Sequence, residues 1–411
     1  MIILNNKGKN NKVKTTNNIT QISGKKAEKL DLKKIAKFNS SEFRRYREAK
    51  KMRKATADTT MRDKNNLVEF EDLNTWFYTD IGTVHAVDGV SFDIPRGKTI
   101  AVVGESGCGK SVTSLSLMGL VEGPVGQIVS GSMKFAKSED GSATELTKLN
   151  EDAMRKFRGN EMAMIFQEPM TSLNPVFTIG KQIGEAIKIH SPDMSQSDIK
   201  KRTLEMLKLV SIARPEGIMK AFPHELSGGM RQRVMIAMAL SCNPQLIIAD
   251  EPTTALDVTI QAVILDLLRD LKLKIGASIM LITHDLGVVA EMADHVVVMY
   301  AGRIVEKGTA EDIYYHPAHP YTIGLLGSKP VVGQDIERLY TIPGNVPNPI
   351  YKPTHCFFKD RCEFSNDDCN GDYPAEKKLS ETHSIWCYKD ATKDKKMAKV
   401  VSDIEEMIGD K

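Results

Sequence analysis

The octapeptide GESGCGKS, Gly104 to Ser111, follows the apolar run TIAVVG and leads into SVTSLSLMGL. Strand, glycine-rich loop and helix in that order are the context in which this spacing reads as a phosphate loop. Glycines let backbone N–H groups curl around phosphate oxygens, and the helix N-terminus adds a favourable dipole. On this reading Gly104, Glu105, Ser106, Gly107, Cys108, Gly109, Lys110, Ser111 and Val112 form a nucleotide cradle. Lys110 reaches the β- and γ-phosphates, and Ser111 is a ligand of Mg²⁺. Cys108 is expected to be a small filler, with a redox role as its alternative.

LIIADEP, Leu246 to Pro252, is an apolar strand ending in two carboxylates. Asp250 can hold Mg²⁺ through water, while Glu251 can polarise a water in line with a γ-phosphate. Alone, such a pair is also a common helix N-cap. Beside a phosphate loop it reads as catalytic.

Further outward the chain is a sequence of 411 residues, 41% apolar and 27% charged, the profile of a soluble globular protein of two or three domains. The opening MIILNNKGKN is too polar for a secretory leader, and no run of about 18 uncharged apolar residues occurs. These features point to the cytosol, where clustered cysteines serve metals or catalysis more often than disulfides.

The net charge of +3 conceals an asymmetry, because residues 1 to 62 carry 18 Lys and Arg against 5 Asp and Glu. This Asn- and Lys-rich segment cannot bury enough apolar surface to fold alone. It is expected to be a disordered or partly helical extension, with Met61 as a possible true start. Contact with anionic lipid or nucleic acid is the alternative.

From Asn66 the pattern changes. LVEFEDLNTWFY, AVDGVSFDIPRG, QLIIAD and SIMLITH read as strands, and HVVVMYAGRIVEKG as a hairpin turning at Ala301-Gly302. Helical spacing marks LTKLNEDAMRKFRG, residues 197 to 210 and MRQRVMIAMALSC. Alternation of strands with helices predicts an α/β fold with a mainly parallel, helix-covered sheet. Pro-rich IPGNVPNPIYKPTH has no period, so a boundary near 320 to 330 and a loop-rich C-terminal part are expected.

Four further motifs carry a resemblance: LSGGMRQR at Leu226 to Arg233, FQEP at Phe166 to Pro169, ALD at Ala255 to Asp257 and THD at Thr283 to Asp285. With the phosphate loop and the acidic pair, the chain resembles the nucleotide-binding subunits of ABC transporters. The resemblance implies a P-loop NTPase cassette with a mainly parallel sheet core, antiparallel β and helical subdomains, and a small C-terminal cysteine-rich module. Its expected limits are 1 to 62 for the extension, 63 to 320 for the cassette (helical subdomain about 168 to 235) and 321 to 411 for the C-terminal module.

Several roles follow from that resemblance. Phe77 matches the aromatic that stacks on adenine, with Tyr78 as a rival; Gln167 completes the Mg²⁺ and water shell; His284 contacts the γ-phosphate and orients Glu251. Ser227, Gly228 and Gly229 belong to the signature that touches ATP bound on a partner subunit. Two cassettes then sandwich ATP head to tail, closing on binding and reopening on hydrolysis.

Only 59 residues separate Gln167 from Ser227, which leaves no room for the long coiled coil of chromosome-maintenance relatives, and one phosphate loop is present rather than two. FQEPMTSLNPVFTIGKQIGEA, AFPHELSGGMRQRVMIAMAL, HPYTIGLL from His319 and IPGNVPNP from Ile342 are similar to the oligopeptide and dipeptide importer ATPases, whose relatives also serve nickel. That similarity implies a peripheral subunit at the cytoplasmic face of the membrane. Its implied partners are a paralogous ATPase (a homodimer being the alternative), two permeases and an extracellular substrate-binding protein; nucleic acid is not expected. The segment after Gln167 is where a permease would dock. Peptide is the expected cargo, nickel or another small solute the competitor, and a metal- or redox-sensing module the reading from a different class.

Cys356, Cys362 and Cys369 are spaced by five and six residues, and Cys387 follows after seventeen more. Four thiolates around one metal centre would tie together a segment with no long apolar run. Zinc suits four cysteines, although its ligands usually include a closer pair. The resemblance implies a [4Fe-4S] cluster, as in some dipeptide-importer ATPases; free or oxidised thiols remain open. His355 and His383 sit nearby as substitute ligands or bystanders, with bystander the expected role.

Overall fold

The computed structural model describes residues 32–167, 172–253, 258–328, 341–389, 394 and 396–402. The ALD motif, Glu168 and Pro169 therefore lie outside the described residues, as does the first half of the basic extension, residues 1–31.

Strands β1 (Asp58–Thr60), β2 (Asn66–Thr79), β3 (Gly82–Pro95), β4 (Thr99–Val103), β5 (Gly126–Ala136), β6 (Ser142–Glu145), β7 (Met162–Ile165), β8 (Leu246–Asp250), β9 (Ser278–Ile282), β10 (His295–Tyr300), β11 (Arg303–Thr309), β12 (Lys377–Lys378) and β13 (Ser384–Ile385) form two sheets. One is antiparallel, in the order β1-β6-β5-β2-β3. The other runs β12-β13-β11-β10-β4-β9-β8-β7, with β10, β4, β9, β8 and β7 mutually parallel.

TIAVV, LIIAD and SIMLI are buried at every position, as central parallel strands covered on both faces must be. Their register aligns Val102 with Ile282 and Ile282 with Asp250. The phosphate loop, the acidic pair and the Thr283-His284 turn therefore leave the sheet at one edge, the carboxyl ends of its strands, where open α/β sheets bind ligands.

Helices Ile179–His190, Gln196–Leu209 and Gly228–Ala239 pack with β8 and β9 in one apolar cluster that includes Ile183, Leu207, Val234 and Ile247. Ser195 and Ser227 cap the second and third of these helices, each hydroxyl accepting a backbone N–H three residues on.

Two features add to the sequence reading. Residues Leu32–Lys51 form a 20-residue helix docked on the cassette, and β1, assigned to the extension, pairs with β6. Asn39 donates its amide to Thr79 O at 3.0 Å, and the Phe38 and Phe43 rings meet Tyr78 edge-on at 5.9 and 6.4 Å. A few apolar and amide contacts anchor an otherwise polar helix, which average composition does not reveal.

The cysteine-bearing region is also built onto the cassette. Cys356, Phe357, Phe358 and Cys369 share a buried cluster with Ala101, Val103, Val298 and Tyr321. β13 pairs with β11, and Trp386 N–H donates to Val305 O at 2.9 Å. Glu306, fully buried, accepts from Ala318 N–H, His319 N–H and the His383 ring at 2.7 to 2.9 Å.

Candidate nucleotide site

Between β4 and the helix Lys110–Leu117 the loop turns through left-handed backbone at Gly104 (φ 146°) and Gly109 (φ 104°). A Cβ on Gly104 would stand 2.2 Å from Met299 O, and one on Gly109 2.4 Å from Ala86 O. Only glycine meets both the dihedral and the clearance there.

Lys110 is 5% exposed and curls back, its Nζ donating to Gly104 O at 2.7 Å and Glu105 O at 3.1 Å. Those carbonyls satisfy the buried ammonium. Ser111 Oγ donates to Asp250 Oδ1 at 3.1 Å, bringing the two Mg²⁺ candidates into contact. Burial raises the Asp250 carboxyl pKa, with Glu251 adding to it, while Ser111 and Lys110 oppose the rise. Cys108 is 1% exposed and packed in the core, and burial pushes its thiol up, away from the reactive thiolate.

Glu251 follows β8 with φ 46°, a conformation unusual for a side-chain-bearing residue and associated with functional turns. Its N–H donates to Ile282 O at 2.9 Å, which holds the turn against β9. Gln167 Nε2 donates to Glu251 Oε2 at 2.9 Å, and His284 Nδ1 lies 3.2 Å from Oε1. The three residues proposed for water activation thus converge. Beside them a cavity of about 460 Å³ is lined by Ser111, Leu115, Met164, Phe166, Gln167, Ser172 and Asp250.

Other expected site residues lie apart. Ser227 caps the helix Gly228–Ala239, Gly228 and Gly229 open it, and none of the three lines that cavity. Phe77 pairs with Val84 and Gly126 along the antiparallel sheet and is partly exposed, whereas Tyr78 is 3% exposed beneath Phe38 and Phe43. Tyr78 therefore has no free face for a base.

Sequence reasoning missed three contributors. Gln232, 1% exposed, donates to Pro252 O at 2.8 Å and ties the signature helix to the acidic turn. Tyr321 Oη accepts the Glu105 N–H at 2.8 Å. Arg361 forms a two-point ion pair with the Glu105 carboxylate at 2.7 and 2.9 Å, which holds the guanidinium pKa above its usual value. HPYTIGLL and the cysteine run were visible, but no local pattern signals contact with a loop 216 or 256 positions earlier.

All four C-terminal cysteines are free thiols. Burial raises the pKa values of Cys356, Cys362 and Cys387, the last two to about 12, and each is raised further by the charge of neighbouring cysteines. They are near neighbours, yet among the described residues no group of three or more His, Cys, Asp or Glu is arranged to hold a metal ion. The expected four-cysteine centre is not found as an assembled ligand set; Cys369 instead points its thiol at Asn366 Oδ1, 3.3 Å away.

Phosphate loop, acidic strand end, glutamine and histidine on one sheet edge define an ATP-binding cassette of the P-loop class. Residues 87–254 match the ABC transporter family, and residues 305–369 match the oligopeptide/dipeptide transporter C-terminal region. The oligopeptide transport ATP-binding protein AppD of Bacillus subtilis (strain 168) is 52% identical over 324 residues, covering 79% of this chain and 97% of its own. The dipeptide transport ATP-binding protein DppD of the same organism is 48% identical, with 78% and 94% covered. Among solved structures, the dimeric bacterial ABC transporter cassette MJ0796 aligns with a TM-score of 0.52 at 26% identity, over 59% of this chain and 98% of that one. The chain belongs to the ABC transporter family, as an ABC ATPase of the group that carries the oligopeptide/dipeptide C-terminal region. No described helix is long and apolar enough to cross a membrane.

Proposed function

We propose that this chain hydrolyses ATP to power import of oligopeptides or dipeptides, as a peripheral subunit on the cytoplasmic side of two permeases fed by a substrate-binding protein. The observation that carries the reading is the convergence of Gln167 and His284 on Glu251, next to Ser111 and Asp250, in a chain whose C-terminal region is that of peptide transporters.

In this mechanism Lys110 leaves the loop carbonyls and meets the phosphates, while Ser111 and Asp250 hold Mg²⁺. Glu251 accepts a proton from water, whose oxygen attacks the γ-phosphorus; the bond to the β-γ bridging oxygen breaks, and ADP and phosphate leave. His284 and Gln167 hold the two carboxylate oxygens in place for that transfer. Phe77 supports adenine, and Ser227, Gly228 and Gly229 complete a site on a second cassette, paralogous or identical. The closed and open pairs hold the permeases differently, which couples hydrolysis to transport. The permease contact is assigned to the segment after Gln167, supported by Val176, an apolar residue that is 69% exposed.

For Cys356, Cys362, Cys369 and Cys387 we propose ligation of a [4Fe-4S] cluster, with zinc as the competing metal. Support comes from the donor set, four reduced thiols within one another's electrostatic field. Such a group would supply cross-linking of a segment with little core of its own. Iron and acid-labile sulfide analysis of anaerobically purified protein tests this; stoichiometric zinc without sulfide would overturn it. The functional reading is tested by reconstituting the chain with its co-purifying permeases. Peptide-loaded binding protein should stimulate ATP hydrolysis, and stimulation by nickel-loaded protein instead would reassign the cargo.

A further inference from the structure

Glu105, the second residue of the phosphate loop, is held at three points. Its carbonyl accepts from Lys110 at 3.1 Å and from the Cys108 N–H at 3.3 Å, its N–H donates to Tyr321 Oη at 2.8 Å, and its carboxylate takes both terminal nitrogens of Arg361 at 2.7 and 2.9 Å. Two of these four partners come from beyond residue 320. Neither belongs to the nucleotide-binding motifs.

Arg361 is itself tightly fixed. Its side chain is 6% exposed, Nε donates to Pro343 O at 2.8 Å, and Nη1 also reaches Tyr300 Oη at 3.3 Å. The rings of Tyr300 and Phe358 flank the guanidinium at 5.7 and 5.8 Å. It sits in a short turn, Lys359–Arg361, directly before Cys362 and five positions after Cys356. A fork held on all its nitrogens fixes the carboxylate in direction as well as distance, which a mobile surface pair does not.

The consequence appears when a triphosphate enters. Lys110 must then release the carbonyls of Gly104 and Glu105 to meet phosphate oxygens, and one restraint on Glu105 is lost. The local Cys108 N–H and, from beyond residue 320, Tyr321 and Arg361 remain. A loop whose N–H groups stay aimed binds phosphate without an ordering cost, so what holds Glu105 sets affinity.

We propose that Arg361 and Tyr321 are positioning residues for ATP, holding Glu105 so that the affinity of the phosphate loop for a triphosphate depends on the docked C-terminal region. The cysteine-bearing turn thereby reaches the nucleotide through one ion pair. This is a role in binding rather than in the chemical step, because both side chains act on the loop through Glu105.

The test measures equilibrium ATP binding and steady-state hydrolysis on full-length protein for Arg361→Ala, Glu105→Gln, the double variant, Arg361→Lys and Tyr321→Phe. Arg361→Ala and Glu105→Gln are each expected to weaken ATP binding about tenfold, and Arg361→Ala, which lies outside the phosphate loop, should do so with kcat within about twofold of wild type. The double variant should be no weaker than the worse single, since both remove one interaction. Arg361→Lys should recover part of the affinity, and Tyr321→Phe should lose several-fold. Glu105→Gln keeps the reading falsifiable if Arg361→Ala does not fold, because it leaves the cysteine segment untouched. ATP binding at the wild-type level in Glu105→Gln, or losses that multiply to about a hundredfold in the double variant, would overturn the proposal.

Discussion

Gln167 and Glu251 meet across the mouth of the site, the glutamine amide donating to the carboxylate at 2.9 Å. His284 stands on the other carboxylate oxygen at 3.2 Å, so Glu251 is oriented from two sides. Glu251→Gln keeps the shape and removes the proton acceptor. ATP binding should survive, while hydrolysis falls by about a hundredfold or more. Parallel binding and turnover measurements check this, and near-normal turnover with intact binding would remove Glu251 from the role of base.

The Ser111 hydroxyl and the Asp250 carboxylate touch at 3.1 Å, with Asp250 only 6% exposed. A divalent cation taken between loop and strand end needs that carboxylate's charge more than its hydrogen bond. Asp250→Asn should therefore raise the Mg²⁺ concentration for half-maximal hydrolysis by about tenfold or more, while nucleotide binding in EDTA changes little. An unchanged Mg²⁺ titration would place the cation elsewhere.

His319 offers a test by pH. It caps the helix Pro320–Gly327 by accepting the Tyr321 N–H at its Nδ1, and burial lowers its pKa to about 3. In the unfolded chain a histidine titrates near about 6.5. Between those values the unfolded state binds the extra proton, so stability is complete above about pH 6.5 and declines as pH falls, by at most about 1.4 kcal/mol for each pH unit. His85, His190 and His295 are also lowered by burial and act in the same direction. The difference between wild type and His319→Asn, which keeps a capping acceptor, isolates this residue. Denaturation curves should slope less with pH in the variant between pH 6.5 and 5; equal slopes would refute the assignment.

How much of this was legible depended on how local the cause was. The phosphate loop, the acidic strand end and the signature each announce themselves within eight residues, because strand, glycine turn and helix cap are local devices. HVVVMYAGRIVEKG likewise contains its own turn, and Ala301-Gly302 adopts the positive φ angles of 48° and 87° expected of such a hairpin. The docking of the N-terminal helix was not legible, since a few side chains, Phe38, Asn39, Phe43 and Tyr46 among them, make its contact within a strongly basic stretch. Nor was the Glu105–Arg361 pair, where neither residue is unusual alone and the fold joins them across 256 positions. The four cysteines lie between these cases. Their number was plain, but the arrangement of their thiols depends on packing against β4 and β10.

The N-terminal helix should be separable from the cassette. Asn39 is 6% exposed with its amide on Thr79 O, and the Phe38 and Phe43 rings cover Tyr78. One hydrogen bond and two edge-on ring pairs contribute on the order of 1 kcal/mol each. Phe43→Ala combined with Asn39→Ala should therefore release residues 32–51 to rapid hydrogen exchange, while strands β4, β8 and β9 remain protected. Unchanged protection of the helix would show that it is held by other contacts.

Glu306 decides whether the C-terminal region stays attached. Its carboxylate is fully buried and accepts from two backbone N–H groups of the Ala318-His319 turn and from His383 Nε2. One face thus secures the entry to the helix that carries Tyr321, and the other secures the strand that precedes Cys387. Glu306→Ala leaves three buried donors without an acceptor, and each buried group left unsatisfied costs about 1 to 3 kcal/mol. Glu306→Gln retains the volume but turns an amide N–H₂ toward donors, so it should rescue only partly. His383→Gln removes a single contact and should be milder than either. Hydrogen exchange should show residues 377–387 opening first in Glu306→Ala, followed by a drop in ATP affinity as Tyr321 and Arg361 lose their registration on Glu105. If the segment opened while ATP affinity stayed at the wild-type level, the attachment by Glu306 would stand and the link from this region to the phosphate loop would fail.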